Sequence, residues 1–343
     1  MTRANRPSRL IGLVPLLLLP GCSAAAARTF PVTDDEGLAK AIATARPGDR
    51  ISLAPGVYAP IKIFQRRIEG TPVIVSGNNA RIQAAFIQKS SGWTFDGLTF
   101  GGALTTGSRV VGIQDSSDIA IRNSLVHGEN LNNDPWDDRG NGIGVRFSER
   151  IEIVRNRFRD IYAAFIIGNS SDVRFEGNSI AFLREGTNWA SIKKAVIRCN
   201  RFSHIYPRFD KNEHPDAIQS WFNTGFGGNE DFLIEGNVIL TGGPRAVQGI
   251  FLAGAYKPGG EAYRMRRFVI RDNIYFGSSP HGITVAGAEG FVIERNTVLP
   301  SPHAQRATAG ERSPDGRQSR GFPPPIRVTG DISTGQIHDN VVT

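Results

Sequence analysis

Between Tyr206 and Gln219 the chain reads YPRFDKNEHPDAIQ, its densest gathering of ionisable side chains at the entry to a strand-like run. His214 and Lys211 can take a proton, Tyr206 can give one, and Arg208 is a planar fork that grips a carboxylate. Arg245 and His281, from two later segments, add a second fork and a second acid–base group. Together they make a kit for general acid–base chemistry on an anionic ligand, with Asp216, Gln219, Trp221 and Gln248 nearby to hold it. A plainer reading stands beside this one, in which Asp216 caps a turn and His214 is merely solvated. Upstream, Asn133, Asp134, Asp137 and Asp138 form an oxygen-rich loop of the kind that can hold Ca²⁺, although an acidic turn around Pro135 and Trp136 also reads as solvated surface.

These residues are positioned by a repeat. GIGVRFSERIEIVRNRF is followed by AFIIGNSSDVRFEGNSI, each with a short apolar run, a polar turn, an alternating run and an asparagine. The pattern extends to Asn156, Asn178, Asn200, Asn237, Asn273, Asn296 and Asn340, preceded at the −3 position by Ile153, Phe175, Ile197, Ile234, Ile270, Ile293 and Ile337. Leu98 and Ser124 hold the same place earlier in the chain. Alternation such as Ile151, Ile153 or Phe291, Ile293 has the period of a strand, and one copy cannot bury its apolar side alone. Stacked copies can, which predicts an all-β solenoid of about 22-residue coils, as a single domain over 28–343. The asparagines are expected to stack as a hydrogen-bonded ladder at a turn that tolerates left-handed backbone.

The intervals between ladder positions serve as a ruler. From Ser124 they run 32, 22, 22, 37, 36, 23 and 44 residues, so the long steps carry insertions. The extra segments are His127–Asn141, Ile205–Pro215 with Asn223–Glu230, Thr241–Val247 with Ala255–Arg266, and Ser301–Pro325. Insertions in a repeat gather in loops, often on the binding face. Aligning Ile143, Ile218, Ile250 and Ile283 puts Asp216, Gln248 and His281 in one column across three consecutive coils. One residue on, Gly142, Ala217, Gly249 and Gly282 form a small-residue column that would leave room for a chain-like ligand.

The N-terminus reads as an export signal over 1–27: Arg3, Arg6 and Arg9, an apolar Leu10–Leu19 too short to span a bilayer, and Ala25–Ala27 as a cleavage site. Leu19-Pro20-Gly21-Cys22 resembles a lipobox, with Cys22 as the lipidation site and proline as a departure from the usual pattern. The expected location is periplasm, outer membrane or extracellular space, with the membrane reached only through such an anchor. Cys199 reads as a small buried residue. Asp34 to Ala45 has helical spacing, with Leu38, Ala41, Ile42 and Ala45 apolar and Thr33 with Glu36 placed as a capping box, and predicts a short helix closing the first coil. The formal charge is +8, and only seven of the 40 basic residues are lysine. Arginine forks suit acidic ligands, while a compositional bias explains them as well. Nucleic acid is not the expected partner, because aromatic and basic residues are not interleaved.

The repeat with its asparagine ladder, and the segment PGDRISLAPGVY after the helix, resemble the right-handed parallel β-helix proteins of the pectate-lyase-like group. That resemblance implies an exported, monomeric, carbohydrate-active protein, with an acidic polysaccharide as partner and polysaccharide lyase chemistry by β-elimination. It implies His214 or Lys211 as base, Arg245 and Arg208 on the sugar carboxylate, and Tyr206 or His281 as acid. Trp221 would stack on a sugar ring. A uronate C5-epimerase, a glycoside hydrolase and a non-catalytic glycan binder of the envelope are the alternatives on this scaffold. The epimerases' Asp-Pro-His triplet is absent, since the order here is His214-Pro215-Asp216. Pro280-His281-Gly282 matches the polygalacturonases' Gly-His-Gly only in part.

Overall fold

The computed structural model describes residues 26–208, 213, 215–241, 246–254, 263–302, 324–330 and 334–343. Cys22 and most of the leader, together with Lys211, His214 and Arg245, lie outside the described residues.

Strand alternation builds a parallel β-helix. In Glu149–Val154 the side chains of Ile151 and Ile153 are fully buried while Glu149 faces out, and Phe291 and Ile293 repeat this in Phe291–Glu294. Strands fall into three columns, and every pairing is parallel, from one coil to the next. The first, here the charged sheet, contains Ser117–Arg122, Glu149–Val154, Glu230–Glu235, Met265–Arg271 and Phe291–Glu294. The second is short, with Leu125–His127, Arg201–Ile205, Val238–Leu240 and Ile274–Gly277. The third, here the floor sheet, contains Ala85–Gln88, Arg109–Gln114, Asn141–Arg146, Asp216–Trp221, Gln248–Ala253, Ile283–Ala286 and Ile326–Thr329. In the two most regular coils the chain bends through all three columns without a break, as Arg157–Glu176 and Ser179–Arg198, paired at a constant offset from Arg157↔Ser179 to Glu176↔Arg198. Inside, Phe232 stacks along the axis on Phe268 of the next coil with centroids 4.8 Å apart, and Phe165 stacks across the lumen on Phe175 of its own coil at 5.1 Å.

The asparagine ladder is continuous. Each ladder side chain accepts from the backbone N–H of its predecessor, as in Asn156 N to Asn178 Oδ1 (2.8 Å) and Asn178 N to Asn200 Oδ1 (2.9 Å). Its Nδ2 donates to the −3 carbonyl one coil back: Asn178 to Ile153, Asn200 to Phe175, Asn237 to Ile197, Asn273 to Ile234, Asn296 to Ile270 and Asn340 to Ile293. Ser124 extends it upstream, donating its own N–H to Asn156 and accepting from Leu98 N. The left-handed residue, however, is the one before the asparagine. Asn123, Arg155, Gly177, Cys199, Gly236, Asp272, Arg295 and Asp339 all have φ between 51° and 65°. The asparagine is used for its amide, which the predecessor's backward turn aims along the axis. This also corrects the reading of Cys199, which is exposed because it occupies that outward turn.

A second ladder, of serines, runs at another corner. Ser90, Ser116, Ser148 and Ser170 each accept from the backbone N–H one coil earlier, at 3.1–3.2 Å. Left-handed Lys89, Asp115, Phe147 and Asn169 precede them.

At the start, Asp35–Thr44 forms the expected helix and buries Leu38, Ala41 and Ile42 over the first coil. Its cap is Asp34 rather than Thr33: Asp34 Oδ1 accepts from Gly37 N at 2.7 Å, the shorter and charged acceptor occupying the place. Below it, buried Asp49 accepts from the guanidinium and N–H of Arg28 and from Arg46 N, and the Arg28 hydrogen bonds hold its carboxyl down at about 2. A value below the ordinary carboxylate range gives stability that is complete above about pH 4 and lost as pH falls towards 2.

Asn178→Leu strands the Asn156 N–H and the Ile153 carbonyl in the interior, each costing about 1–3 kcal/mol. We therefore expect about 3 kcal/mol of lost stability in a urea titration, and a smaller loss for Asn340→Leu, on the half-buried last coil. Equal midpoints for wild type and Asn178→Leu would rule out a structural role for the ladder.

Candidate functional site

The insertions flank a single surface. His127–Asn141, Ile205–Pro215, Thr241–Val247 and Ser301–Pro325 all fall where the chain passes from the short sheet to the floor sheet. Asn223–Glu230 and Ala255–Arg266 fall where it leaves the floor for the charged sheet. The floor therefore carries extra chain along both long edges, and each of the other two sheets along one only. Repeat geometry leaves no other place for a walled groove along the axis.

The expected column is in register. Asp216 pairs directly with Gln248, and Gly249 N donates to the His281 carbonyl at 2.9 Å, which sets His281 one coil further on. Counting back through Thr187↔Ile218 places Glu185 in the same column one coil earlier. Asp216 and His281 are thus two strand spacings, about 10 Å, apart along the axis. His281 Nδ1 lies 3.0 Å from Thr284 Oγ1, and its ring meets the edge of Phe251 at 5.4 Å. Next to this column, Gln219 is buried and its Oε1 accepts from Asn188 Nδ2 (3.3 Å), while Asn188 Oδ1 takes the indole N–H of Trp221 (2.7 Å). Trp221 is 40% exposed, so its ring is fixed in direction yet open to a ligand face.

The small-residue column faces the other way. A Cβ on Gly142 would sit 2.5 Å from the Ala164 carbonyl and 2.9 Å from Ile161 Cδ1, one on Gly282 would sit 2.7 Å from Val298 Cγ1, and Ala217 lies in the core. At this corner two successive residues point inward, so the column lets the chain turn against the packed interior and opens no trough.

One wall is built from two insertions. The Trp136 indole donates to the Tyr206 carbonyl at 2.8 Å, and the Arg208 guanidinium lies over the Trp136 ring at 5.4 Å. Glu213 accepts from Arg208 N (2.5 Å) and pairs with Arg184, whose guanidinium lies over the Tyr162 ring at 4.7 Å and also reaches the Asp138 carbonyl. Burial and the neighbouring Glu185 and Glu213 carboxylates push the Tyr162 phenol well above its usual value, so it stays protonated and hydrogen-bonded to Glu185. The Tyr206 ring packs beside His204 and Phe182, on the flank of the groove away from the floor column.

The oxygen-rich loop is held by its own carboxylates. Asp138 Oδ1 accepts from Glu129 N and more weakly from Asn130 N, Asp137 Oδ2 from Asn132 Nδ2, and Asp134 Oδ1 from Trp136 N. Among the described residues no three histidine, cysteine or carboxylate groups gather as a metal site. Each of the three carboxylates uses one oxygen to shape the loop, with Asp134 and Asp137 exposed and Asp138 buried. Sequence reading missed Glu185, Asn188, Tyr162 and Arg184, all in the regular 22-residue coils that carry no insertion of their own. The signal for Glu185 and Asn188 was their register with Asp216 and Gln219.

Burial, with smaller effects from Asp137 and Asp160, raises Asp138 to about 6. A folded value above the unfolded one means stability is highest below about pH 4 and is lost as pH rises through 6. Wild type is expected to lose stability relative to Asp138→Asn between pH 4 and 7, measured by parallel denaturant titrations. A difference that is flat with pH would mean that Asp138 does not titrate in this range.

The model of the right-handed β-helix region matches residues 83–298, more than half of the chain. No curated protein sequence matches it. Among solved structures, the chain is similar to PfbA, a surface adhesin of Streptococcus pneumoniae, with a TM-score of 0.57 and 12% identity over 92% of each chain. It is also similar to an alginate lyase from Paenibacillus sp. str. FPU-7, with a TM-score of 0.53 and 14% identity over 90% of this chain and 99% of that one. Identities this low speak for the fold alone. In its sequence match, its in-register parallel coils and its continuous ladder, the chain belongs to the right-handed β-helix family.

Proposed function

We propose that the protein is an exported, carbohydrate-active β-helix that binds an acidic, uronate-containing polysaccharide along the floor sheet and cleaves it by β-elimination. The observation that carries this reading is the in-register column of Glu185, Asp216, Gln248 and His281 on the one sheet with insertions along both edges. A chain-like ligand lying along the axis would meet a new polar side chain about every 4.8 Å. In the reaction, a base takes the proton α to the sugar carboxylate, the C4–O bond breaks as the C4=C5 double bond forms, and an acid protonates the departing oxygen. His214 or Lys211 is assigned as base, Arg245 and Arg208 as carboxylate forks that carry the developing negative charge, and His281 as acid. Tyr206 is the weaker choice of acid, because its ring lies on the flank.

The second reading, a glycan binder without turnover, is favoured by one feature. Floor side chains are bonded to one another, Asn188 to both Gln219 and Trp221, and His281 to Thr284, in the manner of a rigid recognition surface.

Incubation with alginate, pectate and glycosaminoglycans, followed at the absorbance of unsaturated uronates, separates the two. Cleavage of one substrate is expected, with His281→Ala and His214→Ala each lowering the rate about a hundredfold at an unchanged melting temperature. Silence on all three substrates, with no exchange of the C5 proton for solvent deuterium, leaves the binding reading.

A further inference from the structure

The floor sheet continues N-terminally beyond the column, and there it carries two guanidinium groups with no counter-charge among the described residues. Arg109 lies half-buried across its neighbours: a Cβ on Gly144 would come within 2.7 Å of Arg109 Cδ and 2.9 Å of its Nη1, and one on Gly112 within 3.3 Å of Cδ. Gly112 and Gly144 are paired across adjacent strands, and together they are the bed on which this side chain rests. Arg146 stands on the same strand as Gly144, two residues on and therefore on the same outward side. Among the described residues neither side chain makes an ion pair or hydrogen bond. Burial and the nearby Arg146 charge lower the Arg109 value, whereas carboxylate partners raise those of Arg150, Arg267 and Arg295. Phe86 pairs with Gly112 on the other side and is 40% exposed, with its ring 3.1 Å from where a Gly112 side chain would begin.

The geometry points to a carboxylate subsite for a uronate residue. Arg109 and Arg146 would grip the carboxylate and the Phe86 ring would lie against the sugar, two strand spacings, about 10 Å, from Asn188 along the groove. Two like charges side by side, the half-buried Arg109 and the exposed Arg146, repel without an anion, and a bound carboxylate offsets that repulsion. The rigid sheet and the glycine bed fix the forks in advance, so little ordering is lost on binding. This subsite rests on the reading of the ligand as an acidic polysaccharide.

Isothermal titration of the full chain with uronate oligosaccharides, and with the same oligosaccharides after reduction of their carboxyl groups, tests it. Arg109→Ala and Arg146→Ala are each expected to weaken binding of the uronate form about tenfold or more while leaving the reduced form unchanged. Gly144→Ala, which displaces the Arg109 side chain without removing its charge, should reproduce the Arg109→Ala loss. If wild type binds the uronate form and both arginine variants bind it equally well, the subsite is overturned and the acidic-polysaccharide reading stands. If wild type binds no uronate oligosaccharide, that reading fails and the subsite fails with it.

Discussion

From Asn156 onward, one amide per coil sets the register on which everything else depends. A ladder asparagine accepts the N–H of its predecessor and returns its own Nδ2 to a carbonyl of the coil before, so each coil is fixed to the last at a point that water does not reach. A one-residue slip would turn the apolar set outward and would also leave two buried groups without partners. This is why the chain tolerates steps of 37, 36 and 44 residues between ladder positions as readily as 22. Extra chain leaves and re-enters at corners, and the amide bonds restore the register after each excursion.

The ladder was legible because asparagine is conspicuous and its −3 partner is large and apolar. The serine ladder was equally present in the spacing. Ser90 to Ser116, Ser148 and Ser170 runs in steps of 26, 32 and 22, the same as Leu98 to Ser124, Asn156 and Asn178, eight residues later. Serine is common enough that its recurrence draws no attention without a register to compare it with. Asn229 then accepts from Ile192 N at 2.6 Å, 37 residues on, as Asn237 does from Asn200. The two corners are therefore the same device with different side chains, and a left-handed residue precedes the ladder position at both, Asn229 with Gly228 before it being the exception.

The site was only partly legible, for geometric reasons. Interval counting located the insertions, and strand alignment placed Asp216, Gln248 and His281 together. Neither method says which way a residue at a corner points, and this is where the small-residue column was misplaced: Gly142 and Ile143 both face the interior because the chain is turning. Nor does an insertion-based search look inside regular coils, where Glu185 and Asn188 lie. The wall formed by Trp136, Tyr206 and Arg208 joins segments 70 residues apart, and no local pattern announces such a contact.

Arginine content admitted two explanations, affinity for anions or a bias of composition, and the structure divides the residues between roles. Along the charged sheet the arginines alternate with acids from coil to coil: Arg122 with Glu152, Arg174 with Glu152 and Glu176, Arg198 with Glu176, Arg271 with Glu235, and Arg295 with Asp272 and Glu294. Half-exposed pairs of this kind add little individually, but as a network they cover the backbone of a long parallel sheet with charges that discourage lateral pairing. They are an expense of the solenoid and indicate no ligand. On the floor sheet the pattern changes, since Arg109 and Arg146 follow each other with no acid between them. The discriminating property is thus that, among the described residues, these two arginines have no counter-charge on the sheet that the insertions flank, which composition alone cannot reveal.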